Sequence, residues 1–376
     1  MKTLIQNGKV VLPDCSGVRA TDVLIENGLI MALGNDLEAE NVFDADGKYI
    51  LPGLIDIHCH GALGALFGFD VDHKKMLRFF AERGTTTVLP TFSTQTLEIL
   101  AERMKRVLGY KGMCDDVARI GGFHLEGPFI SKEKKGAMAI QSPPCDLESF
   151  RRLIDAGEGE IKIMAIAPER ENALDVIREG VGCGVRMALG HTMATYSEAM
   201  AAIEAGANHA THTFNAMRGY NHREPGVLGA VLTEPTVTCE AICDLVHLAP
   251  ATVKLISLAK GLDKMILISD AVGITGMPNG AYEFDGQTRV VKDGISRTLE
   301  GTIAGSCFTM ADGAKNLIKL GFSPADVARV GSLNPAKVAK LDSELGSIEV
   351  GKFADLLICD QEMNIERVML GGRFLL

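Results

Sequence analysis

The chain has 376 residues, 47% hydrophobic and 23% charged, which is enough to bury the core of one large domain with a small one beside it. Its net charge of −10 excludes nucleic-acid binding through a basic face, and any anionic ligand must be met by a few local positive groups. No run of about 18 apolar residues marks a membrane span, so no membrane partner is expected.

The chain opens on MKTLIQNGKVV, which alternates apolar and polar residues and lacks the basic and apolar regions of a signal peptide. Residues 2–50 continue as short alternating runs, and Asn7-Gly8 and Asn27-Gly28 are dipeptides that predict hairpin turns. From residue 50 the pattern changes to short apolar runs separated by helical stretches, which favours a parallel sheet with covering helices. Strands are expected at 50–58, 85–90, 118–126, 161–168, 185–190, 207–212, 236–244 and 264–270. Helices are expected at 72–82, 96–108, 146–156, 171–180, 196–205 and 250–260. Eight such units fit the size of a TIM barrel, whereas a doubly wound sheet would need a Gly-rich phosphate turn that is missing here. The last stretch, with GSIEVGKFADLLICD and IERVMLGGRFLL, returns to β character. The expected fold is therefore α/β, a (β/α)8 TIM barrel at 51–332. A small β-sandwich domain is expected from both chain ends, 1–50 and 333–376.

Functional residues of such barrels gather at the C-terminal ends of the strands. Strand one ends in Asp56-Ile57-His58-Cys59-His60, and two His at i and i+2 of an extended segment face the same side. Strand three ends at Glu126, strand five at His191, strand six at His212 and strand eight at Asp270. One such His is more often a hydrogen-bonded core residue than a ligand, but the whole set at strand ends points to a divalent metal, Zn or Fe(II). Such an ion acidifies water and polarises a carbonyl. Asp270 is placed to carry a proton as general acid/base, and Glu126 has two oxygens with which to bridge two ions. His73 and His209 fit the core reading, as do Cys59, Cys239 and Cys243. The nine cysteines, at 15, 59, 114, 145, 183, 239, 243, 307 and 359, show no paired spacing, which predicts reduced and mostly buried thiols in a cytoplasmic protein.

At these residues the chain resembles the amidohydrolase superfamily, and within it the N-acetylglucosamine-6-phosphate deacetylase family. LPGLIDIHCHG, LGHT, ISDA and GKFADLLI are shared widely, whereas HLEGPF, THTFNAM with the later REPG, and IAGSCFTM resemble the deacetylases in particular. The resemblance implies Glu126, His191 and His212 as core metal ligands, His58 and His60 as holders of a second ion, and Asp270 beside the first ion as acid/base. It implies one or two ions per subunit, a phosphorylated amino sugar as substrate, and a homodimer. Asn215, Ala216, Arg223, His247, Ile303, Ala304 and Gly305 correspond to substrate-contacting positions, the last three in a lining loop, with Arg223 as the phosphate-binding arginine and both Arg223 and His247 expected to reach the substrate of a neighbouring subunit. Read from the residues alone, Arg223 beside Glu224 fits a surface ion pair equally well, and Asn215 fits a turn cap. One departure stands out: after HLEGPF the family carries a K-G-A-H type segment, and here it reads Lys135-Gly136-Ala137-Met138. Ala137 and Met138 thus fall at a substrate contact from which a donor is missing, since a thioether cannot donate a hydrogen bond. A shifted sugar, such as the galactosamine isomer, is the alternative this opens.

Overall fold

The structure, a computed structural model, describes residues 2–113, 115–138, 142–284 and 287–375. Cys114, one of the cysteines named above, lies outside them.

The parallel barrel is built from Leu54–Cys59, Thr85–Ser93, Phe123–Phe129, Ile161–Ile166, Arg186–Leu189, His209–Ala210, Thr238–Ile242 and Met265–Ile268, each hydrogen-bonded to the next. These overlap the expected strand regions, although Thr85–Ser93 and Phe123–Phe129 run three residues past the expected ends, and the first strand differs further. The stretch 50–58 is broken at Gly53, and its front half, Tyr49–Pro52, belongs to another sheet. A side chain at 53 would come within 2.1 Å of the Thr86 hydroxyl, so only glycine lets the chain pass between the two sheets. The barrel closes just beyond the eighth strand. The Asp270 N–H donates to the His58 carbonyl at 3.0 Å and the His60 N–H donates to the Ala271 carbonyl at 2.7 Å. The buried Asp56 carboxylate accepts from the Ser269 hydroxyl across the same seam, and burial pushes its pKa up to about 6 against those hydrogen bonds.

The expected helices are present, and their starts follow from capping chemistry. Asp72, Thr96 and Asp146 accept backbone N–H groups at the heads of His73–Ala81, Leu97–Leu108 and Leu147–Ala156, and Thr195 with Glu198 forms a capping box ahead of Tyr196–Glu204. Four further α-helices among the described residues were not expected: Gly226–Thr233, Met310–Lys319, Pro324–Ala328 and Asn334–Ala339, the last within the stretch 333–376 expected to be β. Gly226–Thr233 is apolar on nearly every side and shows no period, and Met310–Lys319 follows a segment whose strands are short. That segment is a four-stranded antiparallel sheet, Gly280–Phe284, Gln287–Lys292, Ile295–Thr298 and Ile303–Ser306, inserted after the eighth barrel strand.

The two ends of the chain meet in one sheet. Strands at Lys2–Val11, Val18–Glu26, Leu29–Gly34, Asn41–Asp44 and Tyr49–Pro52 join Leu356–Cys359, Ile365–Leu370 and Arg373–Phe374, with Tyr49–Pro52 pairing antiparallel to Leu356–Cys359. Its core includes Ile5, Val23, Ile25, Ile50, Leu356 and Met369. Asn27-Gly28 makes the expected hairpin turn, both residues at positive φ of 54° and 84°. Asn7-Gly8 does not: the strand Lys2–Val11 runs through it with a bulge between Ile5 and Gly8. The glycine is needed there because a side chain would meet Ile50 Cδ1 at 2.2 Å.

No helix among the described residues is long and apolar enough to cross a membrane. Cys15, Cys59, Cys145, Cys239, Cys243 and Cys359 are buried free thiols, and Cys183 is exposed.

Candidate metal centre

His58 and His60 leave the first strand on one side, as their spacing predicts, while the Cys59 side chain packs into the barrel–helix core. Both imidazoles turn toward two carboxylates. His58 Nε2 stands 3.5 Å from Glu126 Oε1 and 3.5 Å from Asp270 Oδ1. His60 Nε2 stands 3.3 Å from Glu126 Oε2 and 3.3 Å from Asp270 Oδ1. Across Glu126 lies a second pair: His191 Nε2 and His212 Nε2 approach Oε1 at 2.9 and 3.0 Å, and each other at 3.0 Å. Glu126 is thus common to two clusters, His58–His60–Glu126 and Glu126–His191–His212, all buried and each able to hold a metal ion. His191, His212 and Asp270 sit just past their strands at positive φ of 48°, 28° and 49°. Left-handed backbone is unfavourable for these residue types, and its recurrence at three strand ends is what turns the side chains inward.

The donor set fits a divalent transition-metal ion. Around a tetrahedral ion with bonds of about 2.0 Å, ligand atoms stand roughly 3.3 Å apart, close to the spacings found here. The buried His58 Nε2 has no hydrogen-bond partner although it is aimed between two carboxylates. A buried polar atom so left costs about 1–3 kcal/mol, which coordination would recover.

The electrostatics agree. Burial opposes ionisation of Glu126, yet His60 and His191 hold its carboxyl well below the usual carboxylate range. Burial likewise opposes ionisation of Asp270, and His58 and His60 outweigh it and lower its pKa. Burial disfavours a charged His60, but Glu126 and Asp270 raise its pKa to about 9.

The imidazoles of the clusters are held from behind. The His60 and Ser93 side chains lie 3.3 Å apart at Nδ1 and Oγ, and the Lys134 carbonyl accepts from His191 Nδ1 at 2.6 Å. The sequence reading missed Glu240, a fully buried carboxylate of the seventh strand within reach of His58, His209 and the His212 backbone. Its only signal was an acidic residue inside an otherwise apolar strand. His209 is a hydrogen-bonded core residue between Thr238 and Glu240, and His73 is one between Gly68 and Val71. His124 donates to the Ile57 carbonyl at 2.9 Å, and burial, then His58, depress its pKa to about 3.

Above the clusters opens a cleft of about 710 Å³. His60, Glu126, His191, His212 and Asp270 form part of its lining, together with Ala137, Met138, Asn215, Ala216, His247, Ile303, Ala304 and Gly305. Ile303, Ala304 and Gly305 belong to a strand of the inserted sheet, not to the loop expected, because Ile303–Ser306 pairs antiparallel with Ile295–Thr298. His247 is oriented by Asp244, which accepts from its Nδ1 at 2.6 Å and its backbone N–H at 2.8 Å. These bonds raise the His247 pKa against the effect of burial. Asn215 both lines the cleft and donates to the His212 carbonyl at 3.2 Å, so its cap role and its place in the lining coexist.

Arg223 is the one expected site residue that does not join the others. It is exposed, and it is not part of the cleft lining. The ion pair with Glu224 is not found among the described residues either, since the Glu224 carboxylate accepts the Tyr196 and Gly226 N–H groups at 2.8 and 3.2 Å.

Comparison with known proteins follows from this geometry. The amidohydrolase family profile matches residues 49–375. The chain is 35% identical over 327 residues to the N-acetylglucosamine-6-phosphate deacetylase of Bacillus subtilis (strain 168), covering 84% of this chain and 82% of that one. It is 32% identical over 341 residues to the N-acetylgalactosamine-6-phosphate deacetylase of Escherichia coli O157:H7, covering 89% of each. Among solved structures it is similar to a mutant N-acetyl-D-glucosamine-6-phosphate deacetylase from Mycobacterium smegmatis in complex with N-acetyl-D-glucosamine-6-phosphate. That match has a TM-score of 0.90 and 30% identity, covering 100% of this chain and 99% of the other.

Proposed function

Because the chain belongs to the amidohydrolase family, and within it to the N-acetylglucosamine-6-phosphate deacetylase family, we infer that it hydrolyses the acetamide of N-acetylglucosamine 6-phosphate to glucosamine 6-phosphate and acetate. The observation that carries this reading is the pair of imidazole clusters sharing Glu126, with Asp270 facing both His58 and His60 at the floor of a sugar-sized cleft.

His58, His60, Glu126, His191, His212 and Asp270 are the proposed ligands of one or two divalent ions, Zn or Fe. An ion so held would acidify water and polarise the acetyl carbonyl. Asp270, as the carboxylate, takes the proton of the attacking water and returns it to the departing amine nitrogen. His247, with Nδ1 held by Asp244, has Nε2 left for the substrate. Asn215, Ala216, Ala137, Met138, Ile303, Ala304 and Gly305 shape the sugar site. Arg223 meets the phosphate of a neighbouring subunit in a homodimer, a reading supported by its exposed position outside the lining of its own cleft. The protein is proposed to work in the cytoplasm, with residues 51–332 as the catalytic domain and 1–50 with 333–376 as its β-rich support.

Acetate release from N-acetylglucosamine 6-phosphate, measured with metal content on the same sample, tests the reading. Activity should vanish on chelation and return with Zn or Fe. A fully metallated sample that releases no acetate would sink it. The less supported substrate is the galactosamine isomer, for which Met138 and the Escherichia coli relative speak. Comparing the two isomers, each with and without the phosphate, separates them.

A further inference from the structure

Glu240 has no part in the chemistry described so far, yet it is a charged side chain with no solvent exposure, on a strand that reads Thr238-Cys239-Glu240-Ala241-Ile242. Burying a carboxylate is costly unless it is hydrogen-bonded, and here both oxygens are. Oε2 accepts from His58 Nδ1 at 3.0 Å and from the His212 backbone N–H at 2.8 Å, while Oε1 accepts from His209 Nε2 at 3.0 Å. His209 is itself tied through Nδ1 to the Thr238 hydroxyl at 2.6 Å. One carboxylate therefore joins the first, sixth and seventh barrel strands directly beneath the two clusters.

The consequence falls on His58. A carboxylate that accepts from Nδ1 keeps the imidazole proton on that nitrogen, so Nε2 presents a bare lone pair. That Nε2 is the buried atom left without a partner between Glu126 and Asp270. The same contact fixes the ring plane and makes the imidazole a stronger donor. Because Oε2 also holds the backbone of His212, the spacing between the two clusters depends on the same atom.

We propose that Glu240 is the positioning residue of the metal centre: it selects the His58 tautomer, aims Nε2 at the His58–His60–Glu126 cluster, and so governs occupancy of that cluster more than of the Glu126–His191–His212 cluster. This rests on the reading of the two clusters as metal sites.

Glu240→Gln is the variant to test, because it keeps the size but removes the charge that makes His58 Nε2 the stronger donor and holds the Nδ1 proton firmly, while His209 can reverse its tautomer toward the new amide. Wild-type and variant protein are stripped of metal and titrated with Co2+, followed by absorption and calorimetry. The wild type should take up two ions. The variant should bind one of them roughly 10- to 100-fold more weakly and leave the other unchanged. In a His58→Asn background the same substitution should have no further effect on Co2+ affinity, whereas a merely structural role for Glu240 would weaken binding in both backgrounds. Equal affinities in wild type and variant, or weakening that persists without His58, overturn the inference and leave the metal-site reading intact. Wild-type protein that binds a single ion also overturns it, and protein that binds none overturns the metal-site reading itself. Should the Gln variant fail to fold, nitrogen-15 histidine NMR of the Zn-loaded wild type decides. His58 must show a protonated Nδ1, and coordination through Nδ1 overturns the proposal.

Discussion

At the floor of the cleft each side chain is fastened more than once. Glu126 reaches four imidazoles, and Glu240 ties His58, His209 and the His212 backbone together. At the rim, the half-buried Met138 has its N–H on the Lys135 carbonyl at 3.1 Å, the Ala137 carbonyl takes one bond from Arg289, and Arg223 stands exposed outside the lining. The difference separates two tasks. Chemistry needs atoms held to a few tenths of an ångström, which buried strand ends provide; selection among sugars needs only side chains placed around an opening, which loops provide.

The sharpest way to break this division is at the floor. Asp270→Asn keeps shape and removes the proton carrier, so turnover should fall by roughly 10²- to 10⁴-fold with KM little changed. Steady-state acetate release with metal analysis of the same preparation checks it, and a variant that turns over normally removes Asp270 from the mechanism. A smaller effect is expected at Arg223. Arg223→Ala should raise KM for the phosphorylated sugar by about 10- to 100-fold, the range of one charged hydrogen bond, and leave the unphosphorylated sugar unaffected. Mixing this variant with Asp270→Asn sharpens the point. If Arg223 serves the neighbouring subunit, mixed dimers contain one complete site and regain turnover at low substrate concentration that neither variant shows alone. Met138→His restores a donor at the rim and should raise kcat/KM for the glucosamine isomer about tenfold, in line with one neutral hydrogen bond. Unchanged selectivity between the two isomers would take Met138 out of the substrate site.

The smallest effect is at His247. Its pKa lies above the usual 6.5 because its bonds to Asp244 outweigh burial. A group raised in this way contributes stability that is fully present below its unfolded pKa and is lost as pH rises through the higher folded value. An NMR titration should place the His247 midpoint above 6.5 in the wild type and lower in Asp244→Asn. Identical midpoints would show that Asp244 does not set it.

Most of the barrel was legible because its strands are short apolar runs, five of which end in a residue type with no business in a core. His58, His60, Glu126, His191, His212 and Asp270 all stood out for that reason. Glu240 did not, since it lies mid-strand rather than at a strand end, and its partners come from two other strands, the first and the sixth. Asn7-Gly8 misled in another way. The dipeptide looks like a turn, but its glycine answers to Ile50, a residue 42 positions along the chain. The inserted sheet at 280–306 escaped because its strands are short and half-exposed, leaving little alternation to detect.

The segment that carries Met138 touches His191 through main-chain atoms: the Ser131 N–H donates to the His191 carbonyl at 2.9 Å, and the Lys134 carbonyl accepts from its ring. A peptide group is the same whatever side chain hangs from it. Apart from Gly136, which sits at positive φ of 59° with the His191 ring 3.5 Å from where a Cβ would be, residues 132–138 can therefore be exchanged over many generations with little risk to the imidazole they hold in place. New sugars could be explored by point mutation in this stretch without each trial first having to rebuild the catalyst.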